Sequence, residues 1–239
     1  MRPEQTLFIL LVFSLLLGCR DSQRDISKSL ATKVYFETPA QPTKAIRVRH
    51  MERDTSTRDF FPSIPLSKYD SIFFFNQDFQ ADGFDYPVGV PNGKRYFKAQ
   101  EFGQDSHLGE DWNRVTGGNS DLGDPVYSIG NGLVTFSKDV CCGWGNVIRI
   151  VHKLPKGNDY EYVESIYAHL HSRYVKPGQL VRRGEKLGSI GTANGRYSAH
   201  LHLEVRDFIN MSLGPGYSED HFGFLIPSDF IDQNRPAGR

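Results

Sequence analysis

The stretch SAHLHLEV, residues 198–205, sets His200, His202 and Glu204 on alternating positions. In a β-strand the side chains at i, i+2 and i+4 share one face. The spacing therefore predicts three polar groups on one side, with Leu201, Leu203 and Val205 on the other. The apolar side reads as core. On the polar side, two neighbouring imidazoles could hold a metal ion or move protons. Glu204 has two readings, a carboxylate that orients a histidine from behind or a surface charge at a strand end. It is left outside the expected site.

Two more patterns carry the same residue types. His107-Leu108-Gly109-Glu110-Asp111 places an imidazole and a carboxylate four apart around a glycine. The glycine discourages a helix and permits a turn that could bring both groups onto one ion. Tyr167-Ala168-His169-Leu170 ends an apparent strand, on which Tyr167 and His169 would share a face. Each pattern alone is weak, because a single histidine is more often a structural group with a satisfied hydrogen bond. His50, His152, His171 and His221 are read in that way.

Short apolar runs separated by Gly, Pro and Asn must position these groups. RYFKAQEF, PVYSI, GLVTFS, NVIRIV, YVESIYAHL and LHLEVR read as strands, and KLPKGNDY, residues 153–160, reads as a hairpin loop. No long stretch shows a helical period. The expected fold is all-β and antiparallel, a sandwich or open barrel, with a less regular N-terminal segment. SIFFFNQDF, residues 71–79, is apolar enough for a strand or a short helix. VKPGQLVRRGEKLGSIG has the glycine corners found in biotinyl carrier domains, but Lys186 stands inside an apparent strand rather than at a hairpin tip.

The 239 residues hold 28 basic and 28 acidic side chains. That balance gives no basic excess for binding nucleic acid. LFILLVFSLLL, residues 7–17, is too short to cross a bilayer core of roughly 30 Å as a helix. It reads as the apolar region of a secretory signal. The signal ends Leu16-Leu17-Gly18-Cys19, which resembles a bacterial lipobox with Cys19 as the lipid acceptor. Arg20 follows in place of the Asp that retains some lipoproteins in the inner membrane, and this favours the outer membrane. The neighbours Cys141 and Cys142 are read as two free or buried thiols, with a strained vicinal bridge as the alternative, because adjacent Cα atoms lie about 3.8 Å apart, below the usual disulfide range.

Taken in order, the three histidine patterns resemble the lysostaphin-type (LytM-type) zinc peptidases, with signatures His-x-Gly-x-Asp, Tyr-x-His-Leu and His-x-His. The likeness covers about residues 84–207. It implies that His107, Asp111 and His202 bind one Zn2+ and that His169 and His200 form the acid/base pair. Three protein ligands and one open position suit catalytic zinc, and two His with one Asp leave the ion a net +1. The resemblance implies a zinc metalloendopeptidase acting on the peptide cross-links of peptidoglycan, of D-alanyl type, in the periplasm. Some family members have lost ligands and act only as wall-binding activators, but here all five positions are intact. WNRVTGGNSDLGDPVYS departs from the family's usual Ala-Pro-x-Gly-Thr-Pro corner. The expected organisation is signal peptide 1–18, tether and N-terminal segment 19–80, peptidase domain 81–210 and extension 211–239. His50, Asp54 and Asn76 are of types that could supply a fourth ligand in a latent form.

Overall fold

The computed structural model describes residues 64–236 and 238. The expected signal, the lipid acceptor Cys19, most of the tether, His50 and Asp54 lie outside the described residues. Among the described residues, no helix is long and apolar enough to cross a membrane.

The first element is a helix, α1 (Leu66–Phe75), where the sequence left strand and helix open. Tyr69 and Phe73, four apart and so one above the other on a helix face, are both fully buried. They pack with Leu133, Val151 and Tyr162. Asp70 accepts hydrogen bonds from the hydroxyls of Tyr160 and Tyr162, both at 2.8 Å.

Ten strands follow: β1 (Tyr96–Gln100), β2 (Glu110–Arg114), β3 (Pro125–Tyr127), β4 (Gly132–Asp139) and β5 (Asn146–Lys156). The chain continues through β6 (Asp159–Arg173), β7 (Leu180–Val181), β8 (Lys186–Ile190), β9 (Leu201–Arg206) and β10 (Phe224–Leu225), then helix α2 (Pro227–Gln233). They form one antiparallel sheet in the order β1-β2-β9-β6-β5-β4-β7, with β10 on β9 and β8 joining β6 to β3. Strands β2 to β9 all send side chains into one core, including Trp112, Val126, Val134, Ile150, Tyr167, Val181, Leu187 and Leu203. The sheet curls around that core as an open all-β structure.

The β5–β6 hairpin is tighter than its sequence suggests. Pairing runs out to Lys156 opposite Asp159, so the turn is only Gly157-Asn158. Two-residue hairpin turns need positive φ, and Gly157 supplies it at 63°. Lys186 opens β8 with its ammonium over the Tyr174 ring, 5.1 Å from the centroid. It is a strand residue, not the tip of a carrier hairpin.

Cys141 and Cys142 are joined in a disulfide, which corrects the reading of two thiols. Both have left-handed backbone, at φ 54° and 50°. That tight turn brings the sulfurs of neighbouring residues together across an ordinary 3.8 Å Cα spacing.

Candidate metal centre

His107, Asp111, His169, His200 and His202 line one cleft of about 460 Å³. Strand pairing explains how Asp111, His202 and His169 meet. Asp111 stands directly opposite His202 in the β2–β9 ladder, and Ala168 stands opposite His202 from the β6 side. Gly109 matters here for close approach, because a Cβ on it would sit 2.5 Å from the Leu203 carbonyl oxygen and 2.8 Å from His202 Cε1. His107 is one step further out, bridged to Tyr217.

The face sharing expected of SAHLHLEV is present. Leu201, Leu203 and Val205 enter the core, while His202 and Glu204 meet on the other side, with Nε2 and Oε1 3.2 Å apart. The expectation for Tyr167 and His169 is corrected. β6 carries a bulge here, with Tyr167 opposite Ile148 and Leu170 opposite Asn146. His169 takes left-handed backbone, φ 60°. A bulge adds a residue and re-aims a side chain. Tyr167 therefore points into the core, where its hydroxyl accepts from the Ile129 N–H, and His169 turns into the cleft.

Three ligand-type atoms converge. His107 Nε2 is 3.0 Å from His202 Nδ1, which is 2.9 Å from Asp111 Oδ1; His107 Nε2 to Asp111 Oδ1 is 3.4 Å. Asp111 also shares a second possible grouping with His169 and His200, through His200 Nε2 at 3.5 Å from Oδ2. Burial alone would raise the pKa of Asp111, but the hydrogen bonds from His107 and His202 outweigh it and hold the carboxyl well below the usual range. Burial lowers the pKa of His202, and hydrogen bonds to Asp111 and Glu204 more than offset that, raising it to about 9. Positive charge is thus favoured at this point. Two imidazole nitrogens and one carboxylate oxygen are the donor set that zinc accepts, so the residues fit the ion.

Glu204 is fully buried, which removes the surface-charge reading. Its Oε1 accepts from His202 Nε2–H at 3.2 Å, which leaves Nδ1 for the centre. Its other oxygen is held by Arg206 through Nε at 2.9 Å and Nη2 at 2.5 Å. Burial would raise the Glu204 pKa, but the Arg206 guanidinium and the His202 contact bring it below its ordinary value.

The other two histidines are held differently. His169 Nδ1–H donates to the Trp144 carbonyl at 3.2 Å, and His200 Nδ1–H donates to the Ser198 carbonyl at 2.8 Å. Carbonyls only accept, so in each ring Nδ1 carries a proton and Nε2 is the nitrogen turned to the cleft. Burial, aided by the nearby charge of His202, lowers the pKa of His169 to about 3 and keeps it neutral.

Several cleft residues gave no signal in the sequence. Trp144 lies in CCGWG, which reads only as a turn. Tyr197 stacks near His169, with centroids 5.1 Å apart. Tyr217 stacks against His107 at 5.2 Å and comes from the stretch read only as an extension. His152, His171, His221 and Asn76 do not line the cleft. Asn76 instead donates through Nδ2 to the Ile72 carbonyl at 2.8 Å.

Fold and site together define an antiparallel β domain with a cleft that holds a candidate metal centre. The chain belongs to peptidase family M23, whose model matches residues 107–213. This agrees with the lysostaphin-type resemblance. It is 33% identical over 84 residues to the lipoprotein NlpD of Yersinia enterocolitica, covering 35% of this chain and 78% of that protein. It is 36% identical over 84 residues to the peptidoglycan DD-endopeptidase ShyA of Vibrio cholerae, covering 35% of this chain and 18% of that one. Against other curated relatives the match spans 13% to 30% of their length. Among solved structures it is similar to a zinc-containing peptidase from Vibrio cholerae, at 28% identity and TM-score 0.40, covering 52% of this chain and 36% of that one.

Proposed function

We propose that this chain is a zinc-dependent endopeptidase that hydrolyses the peptide cross-links of bacterial peptidoglycan, of the D-alanyl type. The observation that carries the reading is the convergence of all five expected groups on one cleft. In this reading His107 Nε2, Asp111 and His202 Nδ1 hold the ion. Zinc, when bound, supplies Lewis acidity and acidifies a water toward a pKa of about 7. His169, neutral in its buried position, and His200 both turn Nε2 to the cleft. One of them takes a proton from the attacking water, and its protonated form then gives that proton to the leaving amine. The left-handed backbone at His169, φ 60°, carries a conformational cost of roughly 1–3 kcal/mol, and it aims the ring at the centre.

Membership of peptidase family M23, relatives named as peptidoglycan DD-endopeptidases and lipoproteins among the relatives support this substrate and address. The proposed address is the cell envelope, with lipid on Cys19 anchoring the chain to the outer membrane facing the periplasm. The intact five-residue set favours an enzyme over a wall-binding activator.

The test is digestion of purified sacculi with zinc supplied, followed by mass analysis of the fragments. Loss of D-alanyl cross-linked dimers in favour of monomers is expected. Intact cross-links would overturn the reading.

A further inference from the structure

His200 lies outside the strands of the sheet and is joined to it only by an isolated bridge to Gly191. It precedes β9, which begins at Leu201, and the β2–β9 ladder ends with Trp112 opposite Leu201. Its own N–H reaches the Gly191 carbonyl only at 3.3 Å. A catalytic group misplaced by about 1 Å can lose roughly 100-fold in rate, so something else must fix it.

The peptide groups of the preceding residue, Ala199, are held by side chains on both polar atoms. The Ala199 N–H donates to Asn119 Oδ1 at 2.8 Å. The Ala199 carbonyl accepts from Asn113 Nδ2 at 2.9 Å. Asn113 belongs to β2, two residues beyond Asp111. Asn119 belongs to the glycine-rich loop that departs from the family pattern. The base of that loop is itself tied down, as the buried Asp121 accepts from the Arg114 N–H at 3.1 Å and Gly123 N–H donates to the Ile190 carbonyl at 2.9 Å.

We propose that Asn113 and Asn119 are positioning residues for His200, gripping the Ala199 peptides so that the His200 Nε2 keeps its place over the cleft. This rests on the assignment of His200 to proton transfer. The departing loop then has a task, which is to replace a missing rung of the ladder beside a working imidazole. The chemistry of each grip is fixed by the backbone atom it meets. Position 119 needs an acceptor and position 113 needs a donor.

The test compares Asn119→Ala, Asn119→Asp, Asn113→Ala and Asn113→Asp in the zinc-loaded protein. It reads zinc content, kcat and KM on a cross-linked muropeptide dimer, and the imidazole 1H–15N signals of His200. Asn119→Ala is expected to lower kcat by about 10- to 100-fold, with KM and zinc unchanged, and to broaden or double the His200 signals. Asn119→Asp, which keeps the acceptor, should restore both rate and a single signal set. Asn113→Asp should be worse than Asn113→Ala, since a carboxylate would face the Ala199 carbonyl. Wild-type rate and signals in Asn119→Ala, zinc lost in step with rate, or no rescue by Asn119→Asp would each overturn the proposal. If the wild-type protein cuts no cross-link, the proposed activity has failed, and the His200 signals still decide whether the grip exists.

Discussion

The Glu204 carboxylate lies 3.2 Å from His202 Nε2, and both residues are buried. A carboxylate cannot donate in its ionised form, so Nε2 carries a ring proton toward Glu204, and Nδ1 is the nitrogen that faces His107 and Asp111. Glu204→Gln keeps an acceptor but removes the charge. Chelator competition should show zinc bound roughly 10- to 100-fold more weakly, the usual cost of losing a group behind a ligand. Wild-type affinity in a folded Glu204→Gln protein would confine Glu204 to pairing with Arg206.

On the proposed assignment the five cleft residues divide into two sets. His107→Ala, Asp111→Ala and His202→Ala should each abolish stoichiometric zinc. His169→Ala and His200→Ala should retain most of it and lose on the order of 10²–10⁴ in rate. Metal analysis beside muropeptide turnover reads both quantities, and equal zinc loss across all five would refute the division.

His152 should set part of the acid sensitivity of the fold. It is fully buried in β5, with Nδ1–H donating to the Asn131 carbonyl at 2.9 Å and Nε2 2.8 Å from Ser165 Oγ. Burial lowers its pKa from 6.5 to about 4. Above pH 6.5 the ring is neutral folded or unfolded, and pH has no effect through it. Between about 6.5 and 4 the unfolded chain takes up a proton that the folded one refuses. Unfolding free energy should therefore fall through that window, by about 3 kcal/mol in total from this group. Urea unfolding from pH 7 to pH 4, for wild type and His152→Gln, measures it. An identical pH dependence in the two proteins would contradict the assignment.

Helix α1 is expected to stabilise the domain without touching the chemistry. Phe73 is fully buried against Leu133, Val151 and Tyr162 and is not among the residues lining the cleft. Phe73→Ala should cost about 3 kcal/mol in denaturant unfolding while kcat and zinc stoichiometry stay at wild-type values. A wild-type unfolding midpoint would show that the helix packs weakly.

The sequence made the strands legible because period-two alternation is a local signal, while the convergent residues were legible only through the resemblance of three spaced motifs to a known family. LHLEVR alternates cleanly, and its core and cleft faces follow from that alone. YAHL alternates too, but a bulge turned His169 by one residue and broke the inference. The tight turn at Gly157-Asn158 was hidden because Pro155, a turn former, lies inside strand β5. Trp144, Tyr197 and Tyr217 reach the cleft through loops whose paths depend on tertiary contacts. Glu204 needed its burial to be known before its role could be chosen. The Cys141–Cys142 bond depended on two left-handed backbone positions that no pattern announces.

The central claim is that one zinc ion sits between His107, Asp111 and His202, with His169 and His200 beside it but not bound. Asp111 takes part in a second possible grouping with His169 and His200, so the position of the metal decides the matter. Anomalous scattering at the zinc edge, from crystals of the zinc-loaded protein, locates it directly. The expected result is a single peak about 2.0–2.1 Å from His107 Nε2, His202 Nδ1 and an Asp111 oxygen. A peak ligated by His169 and His200, or no peak in the cleft, would contradict it.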